Sequence, residues 1–256
     1  MFKQVCYYKG KYAMPKAKFE SIYKDLKQKI EAGEYPYQEL LPSENTMVDI
    51  YSSSRNTIRR AVLELAEQGY VQSLHGKGVR VIYQPVDQAD FTLGGIESFK
   101  ESADRNNRKT STQVIQFTEI TADARVSANT GFAAGSELYY IQRVRYLEDK
   151  ALILDINMFL KSLVPGLTKE IAEKSIYEYI ENELGMAIVT SKRKMTVERA
   201  TQIDEKYLEL NDYNCLAVVS GQTFNSDGIM FEYTQSRHRP DYFCFQDTAT
   251  RKRQPV

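Results

Sequence analysis

Two sets of side chains have types and spacings suited to chemistry. In the first, Arg55, Asn56, Arg59 and Arg60 crowd the start of a helical pattern, and His75-Gly76-Lys77-Gly78 follows as a basic, glycine-rich tip. Arg and Asn match the edges of guanine and adenine in a major groove. Lys and His on a tight tip can reach backbone phosphates or a minor groove. In the second set, Arg143 and Arg145 stand two apart in a strand pattern, so their guanidiniums share one face. Several rigid N–H donors then aim at one place, which suits a dianionic phosphate. Ser175 opens a helical run and Tyr177 lies in its first turn. Their hydroxyls, nearby backbone N–H groups and the positive helix end could complete such a receptor. Each set also has an ordinary reading. A charged helix face is commonly only solvated, paired strand arginines commonly form an ion-pair ladder, and a serine at a helix start is commonly only a cap.

Two further carboxylates and one more arginine stand in the second half. Asp155 interrupts the apolar run LIL-D-INMF, so it is either exposed by alternation or held to accept sugar hydroxyls. Glu232 and Arg237 are open to the same hydroxyl recognition or to a structural ion pair.

The elements that must position the first set are compact. A first helix is expected from Lys16 to Ala32, with Phe19, Ile22, Tyr23, Leu26 and Ile30 on one face. Ser43 can cap a second helix running to Tyr51, and Ser53 or Ser54 a third. In the third, Ile58, Ala61, Val62 and Leu65 form one apolar stripe at i, i+3, i+4, i+7 spacing. Gly69 follows as a C′ residue. Tyr70–Leu74 and Val79–Ile82 read as strands around the basic tip. Helix, turn, helix and basic hairpin together make a winged helix-turn-helix, which offers one helix to a DNA groove and a loop to the neighbouring phosphates.

The second half alternates short strands and helices. Strands are expected over Thr112–Ile120, Glu137–Leu147, Ala151–Phe159, Met186–Glu198, Leu216–Asn225 and Gly228–Arg239. Helices are expected over Asp123–Ala128, Ser175–Leu184 and Asp204–Leu210, and Ser102–Thr112 reads as a polar surface loop. This pattern is α+β with an antiparallel sheet. A chain of 256 residues accommodates two domains. The divisions read as a DNA-binding domain over 14–84, a linker over 85–91 and an effector-binding and dimerisation domain over 92–250.

The charge total is zero, so DNA affinity must come from local placement. From Ser52 to Ile82 five basic residues face two acidic ones, a local excess of +3 that dimerisation would double. Cys6, Cys215 and Cys244 are few, scattered and odd in number, which suggests reduced thiols in a cytoplasmic protein. No Cys/His cluster has metal spacing, so neither a metal nor a cofactor is expected. No apolar run approaches the ~18 residues of a membrane span. Lys3, Lys9, Gly10 and Lys11 interrupt any signal-like stretch, and Met1–Ala13 fits neither domain. An enzyme would need a poised acid, base or nucleophile; the second half offers His238 alone, without a partner motif. A purely architectural DNA protein is a further alternative.

The residues of the first half resemble the GntR family of bacterial transcription regulators. The resemblance rests on Leu41-Pro42-Ser43-Glu44, Ser54-Arg55-Asn56-Thr57-Ile58-Arg59, the run LAEQGY from Leu65 to Tyr70, and His75-Gly76-Lys77-Gly78. One departure is Asn45, where many members carry arginine. The resemblance implies an operator-facing set of Ser43, Ser54, Arg55, Asn56, Thr57, Arg59, His75, Gly76 and Lys77. The remainder resembles the HutC-type effector domain (UTRA type) of the same family, through Gly95–Glu101, Leu152–Asp155, Val164–Ile171, Ser175–Glu181 and Phe231–Arg239. That likeness implies a chorismate-lyase-like fold and an effector set of Ser98, Phe99, Arg143, Arg145, Asp155, Ser175, Tyr177, Glu232 and Arg237. It also implies a homodimer on double-stranded DNA. Within the family it narrows to repressors of trehalose operons, which implies trehalose 6-phosphate, or another sugar phosphate, as effector.

Overall fold

The computed structural model describes residues 15–84, 96–105 and 107–245. Met1–Ala13 and the expected linker lie outside the described residues. Those described fall into two compact units, 15–84 and 96–245.

The first unit begins with α1 (Pro15–Glu31), α2 (Glu44–Tyr51) and α3 (Arg55–Glu67), followed by the hairpin β1 (Val71–Leu74) and β2 (Gly78–Val81). The apolar stripes expected from spacing meet in one core: Ile22, Leu26 and Ile30 of α1 pack with Ile58, Ala61 and Leu65 of α3, closed by Met47, Val71 and Val81. Truncating a fully buried Leu65 to alanine would cost about 2–5 kcal/mol. The turn between α2 and α3 places Ser52 in the left-handed region at φ 45°. Lys18 Nζ donates to the Ser52 carbonyl at 2.6 Å, which ties this turn to α1. Leu40 bridges to Arg80, while the Leu41 N–H donates to Val79 O at 2.8 Å. The segment before α2 therefore extends the hairpin.

The second unit is a six-stranded sheet in the order β3-β4-β5-β8-β7-β6. Its strands are β3 (Thr110–Thr121), β4 (Glu137–Leu147), β5 (Lys150–Leu160), β6 (Ile188–Arg199), β7 (Cys215–Asn225) and β8 (Met230–His238), and every neighbouring pair is antiparallel. Helices α4 (Phe99–Arg105), α5 (Ala124–Thr130), α6 (Lys169–Glu173), α7 (Ile176–Glu178) and α8 (Gln202–Tyr207) surround it, with a π-helical turn over Tyr179–Glu183 after α7. One sheet face packs Tyr139, Ile141, Phe159 and Phe231 against Ala172, Ile176 and Ile180. On the other, Val144, Leu154, Leu216 and Val218 meet Leu208 and Leu210. The α+β class with an antiparallel sheet is as expected.

Two expectations need correction. The polar stretch 102–112 is not one surface loop: α4 runs to Arg105, Ser102 and Ala103 are buried, and β3 begins at Thr110. So short a helix buries only small residues, which leaves no apolar stripe to read. The helix expected over Ser175–Leu184 is one α-helical turn that continues as the π-helical turn, with Ser175 as its cap.

Candidate functional site

The first candidate surface is the exposed start of α3 with the hairpin tip. Ser43 caps α2 by accepting from the Thr46 N–H at 3.1 Å, and Ser54 caps α3 by accepting from the Thr57 N–H at 3.2 Å. The Thr57 hydroxyl lies 2.8 Å from Ser54 Oγ. These serines fix where each helix begins, and so which side chains the first turn of α3 presents. Arg55, Asn56 and Arg59 are exposed, as are His75, Gly76 and Lys77 at the tip. Gly76 sits at φ 70° and Gly78 at φ 106°, conformations that favour glycine in this tight turn. Lys77 closes the turn by donating its N–H to Leu74 O at 3.1 Å. Arg60 is turned away from this surface: its guanidinium lies 4.3 Å from the centre of the Phe19 ring. Asn45 is exposed on α2.

The second candidate is a cleft of about 1140 Å³, including its open mouth, on one face of the sheet. The strand register builds it from residues far apart in sequence. Arg143 pairs with Asp155, Asp155 with Ser236, and Ser236 with Val219 across four strands. The adjacent row runs Asn157, Thr234, Gly221, Arg193. Residues 96–100, Ser102 and residues 174–177 complete the wall. Of the effector set, Ser98, Phe99, Arg143, Arg145, Asp155, Ser175, Tyr177 and Glu232 all line this cleft.

Arg237 does not. Its side chain leaves β8 on the opposite face and donates to both carboxylate oxygens of the fully buried Asp204, with Nε to Oδ1 at 2.9 Å. It also donates to Glu198 at 2.7 Å. Strand alternation is the reason: Ser236 and His238 face the cleft, so Arg237 between them cannot. The structure thus places Arg237 in ion pairs with Asp204 and Glu198.

Polar bonding inside the cleft is dense. Arg145 Nε donates to Asp155 Oδ2 at 2.8 Å and Nη1 to Thr112 Oγ1 at 2.7 Å, and the guanidinium lies 5.0 Å from the Phe99 ring centre. Arg143 Nη2 donates to Asn157 Oδ1 at 2.8 Å and Nη1 to Ala172 O at 3.3 Å. The Ser236 hydroxyl donates to Asp155 Oδ1 at 2.5 Å. Tyr177 donates to Glu232 Oε2 at 2.6 Å, and Asn157 Nδ2 to Thr234 Oγ1 at 2.9 Å. Ser175 Oγ accepts the Glu178 N–H at 3.2 Å.

Burial, and then the neighbouring Arg145, push the Arg143 guanidinium down to about 9. Burial works against charge on Asp155, but Arg145 and Arg143 outweigh it and the carboxyl falls below its ordinary value. Burial raises the Glu232 carboxyl against the bond from Tyr177. Burial, then the Glu232 charge, hold Tyr177 well above an ordinary tyrosine, so its hydroxyl remains a donor. The two guanidiniums thus share one firmly ionised carboxylate, and the cleft favours added negative charge beside them.

Sequence reading did not single out Asn157, Thr234, Ser236 or Arg193. A period of two was the available signal: Asp155, Asn157 on β5 and Glu232, Thr234, Ser236, His238 on β8. It was hidden because β8 is polar on both faces. Among the described residues no group of His, Cys, Asp and Glu could hold a metal ion. No described helix is long and apolar enough to cross a membrane.

A winged helix-turn-helix and a polar, ligand-sized cleft in one chain define a DNA-binding regulator with a ligand-responsive domain. Residues 18–81 match the model of bacterial regulatory proteins, gntR family, and residues 105–244 match the UTRA domain. The HTH-type transcriptional regulator TreR of Bacillus subtilis (strain 168) is 38% identical over 234 residues, covering 91% of this chain and 98% of that protein. The solved effector binding domain of the B. subtilis trehalose repressor (TreR) is 36% identical, covering 56% of this chain and 99% of that one, with a TM-score of 0.51. The possible transcriptional regulator YydK of B. subtilis subsp. subtilis str. 168 shares the fold with a TM-score of 0.76 at 22% identity, covering 91% of this chain and 99% of that one. The chain belongs to the GntR family of bacterial transcriptional regulators, with a UTRA effector domain. Regulators of this family bind DNA operators and effector ligands, so the chain is a transcription regulator and not an enzyme.

Proposed function

We propose that this chain is a cytoplasmic, homodimeric repressor of a trehalose-utilisation operon, released from its operator by trehalose 6-phosphate. The start of α3 reads base edges in the major groove, and the hairpin tip holds the flanking phosphates. The single observation that carries the effector assignment is the charge balance of the cleft: Arg143 and Arg145, both buried, share Asp155. A phosphate dianion adds negative charge beside the two guanidiniums and accepts several rigid N–H donors. Ser98, Ser175 and Tyr177 offer hydroxyls to the same ligand, while Asp155 and Glu232 accept sugar hydroxyls. The similarity to a trehalose repressor supports a disaccharide as the sugar. Release requires that the ligand bind one arrangement of the regulator better than the operator-bound one.

A thermal-shift panel tests the ligand class. A bound ligand raises the unfolding temperature by mass action. Trehalose 6-phosphate should raise it at concentrations where trehalose, glucose 6-phosphate and inorganic phosphate do not. An equal shift with plain trehalose would refute the phosphate receptor.

A further inference from the structure

Glu44 is the first residue of α2, and an acidic residue there has a ready local use beside the helix N-terminus. Its position does more than that use requires. The Glu44 carboxylate accepts from Arg59 Nε at 2.7 Å, and its other oxygen lies 4.0 Å from Arg55 Nε. Both arginines belong to the exposed start of α3, where their side chains are 64% and 65% accessible. One carboxylate therefore sits between two cations on the surface assigned to DNA.

A negative charge on such a surface opposes every phosphate it approaches, cognate or not. It also limits the freedom of two long side chains. A guanidinium that donates through Nε to a carboxylate still presents its Nη donors outward, in the plane that pairs with guanine O6 and N7. The carboxylate further raises the Arg59 guanidinium above its ordinary value, through the hydrogen bond first and the charge second.

We propose that Glu44 is a positioning residue for base reading: it holds Arg59, and Arg55 beside it, in the orientation that pairs with base edges, and its charge lowers affinity for non-cognate DNA. This rests on the reading that α3 enters the major groove. Sequence discrimination then depends on an acidic residue that makes DNA binding weaker in general.

Three proteins separate positioning from charge: the full chain, Glu44→Gln and Glu44→Asp. Each is used to select duplexes from a random pool, and its affinity for the selected and a scrambled duplex is measured across a salt series. Gln removes the charge at nearly constant shape. Asp keeps the charge but shortens the reach. For Gln we expect several-fold tighter binding to scrambled DNA, a salt slope steeper by up to about one per subunit, and at least a tenfold loss in the cognate-to-scrambled ratio. For Asp we expect unchanged scrambled affinity with a reduced ratio. Unaltered unfolding temperatures show that the variants fold. If both variants keep the parent's ratio and selected sequence, the positioning role is overturned. If the parent itself selects no sequence, the major-groove reading fails, and the Glu44 role fails with it; these two results are distinct.

Discussion

Arg145 and Asp155 meet on adjacent strands, Nε to Oδ2 at 2.8 Å, and the same oxygen lies 3.8 Å from Arg143 Nη2. One carboxylate thus serves two buried guanidiniums. A matched pair would read as a closed structural bridge, whereas here two cations share one carboxylate, and the next carboxylate, Glu232, is bonded to Tyr177. An anion beside the two guanidiniums is favoured by their charge, so ligand charge should couple directly to affinity.

At the DNA-facing surface, Arg55→Ala and Arg59→Ala should each remove a base interaction worth about 1–3 kcal/mol per subunit. Specific operator binding should be lost in both, with the unfolding temperature nearly unchanged because both side chains are exposed. Gel shifts at matched salt check this. Parent-like operator affinity in both variants would remove α3 from the recognition role.

Lys77→Ala should act differently. A phosphate interaction positions without reading sequence, so cognate and scrambled DNA should weaken alike. The salt slope should fall by about 0.9 for each phosphate that is no longer neutralised. Loss confined to the cognate sequence, with the slope intact, would make Lys77 a base reader.

Arg237 and Asp204 form a buried pair on the far side of the sheet from the cleft. Leaving either charge alone should cost about 3–5 kcal/mol of stability. In Arg237→Ala, urea unfolding should therefore shift strongly, while sugar-phosphate affinity of the protein that remains folded should hold. A variant of parental stability that fails to bind effector would return Arg237 to the ligand site.

Much of this was legible in the residues, for identifiable reasons. The stripe Ile58, Ala61, Val62, Leu65 and the caps Ser43 and Ser54 are local signals, and the helices follow them. The arginine pair was legible because a period of two is local too. What was not legible depends on strand order. Nothing local says that β8 lies between β5 and β7, so Ser236 beside Asp155 and Thr234 beside Asn157 appear only once the sheet is assembled. The same holds for Arg237, whose partner Asp204 lies 33 residues away. Glu44 was visible as part of a motif, but its bond to Arg59 requires the angle between two helices.

His238 gives the fold a pH dependence with a definite sign. Burial lowers it from the usual 6.5 to about 4, against the Asp155 charge. Its neutral form is the one accommodated, so this contribution is fully present above about 6.5 and is lost as pH falls toward 4. His238→Gln should flatten the fall in unfolding temperature between those values. An identical pH profile in parent and variant would show that His238 does not contribute.

Whether a phosphorylated disaccharide acts through the paired arginines is tested most directly by titrating preformed regulator–operator complex. Following fluorescence anisotropy of the labelled operator, trehalose 6-phosphate should release the parent protein. The fraction of Arg143→Ala and Arg145→Ala that remains folded should bind operator normally yet need roughly ten- to a hundred-fold more ligand, since a charge-assisted bond is worth about 1.5–3 kcal/mol. Plain trehalose should fail with all three proteins. Release of the parent by trehalose at the concentrations that suffice for its phosphate, or unchanged release of both variants, would contradict the paired-arginine receptor.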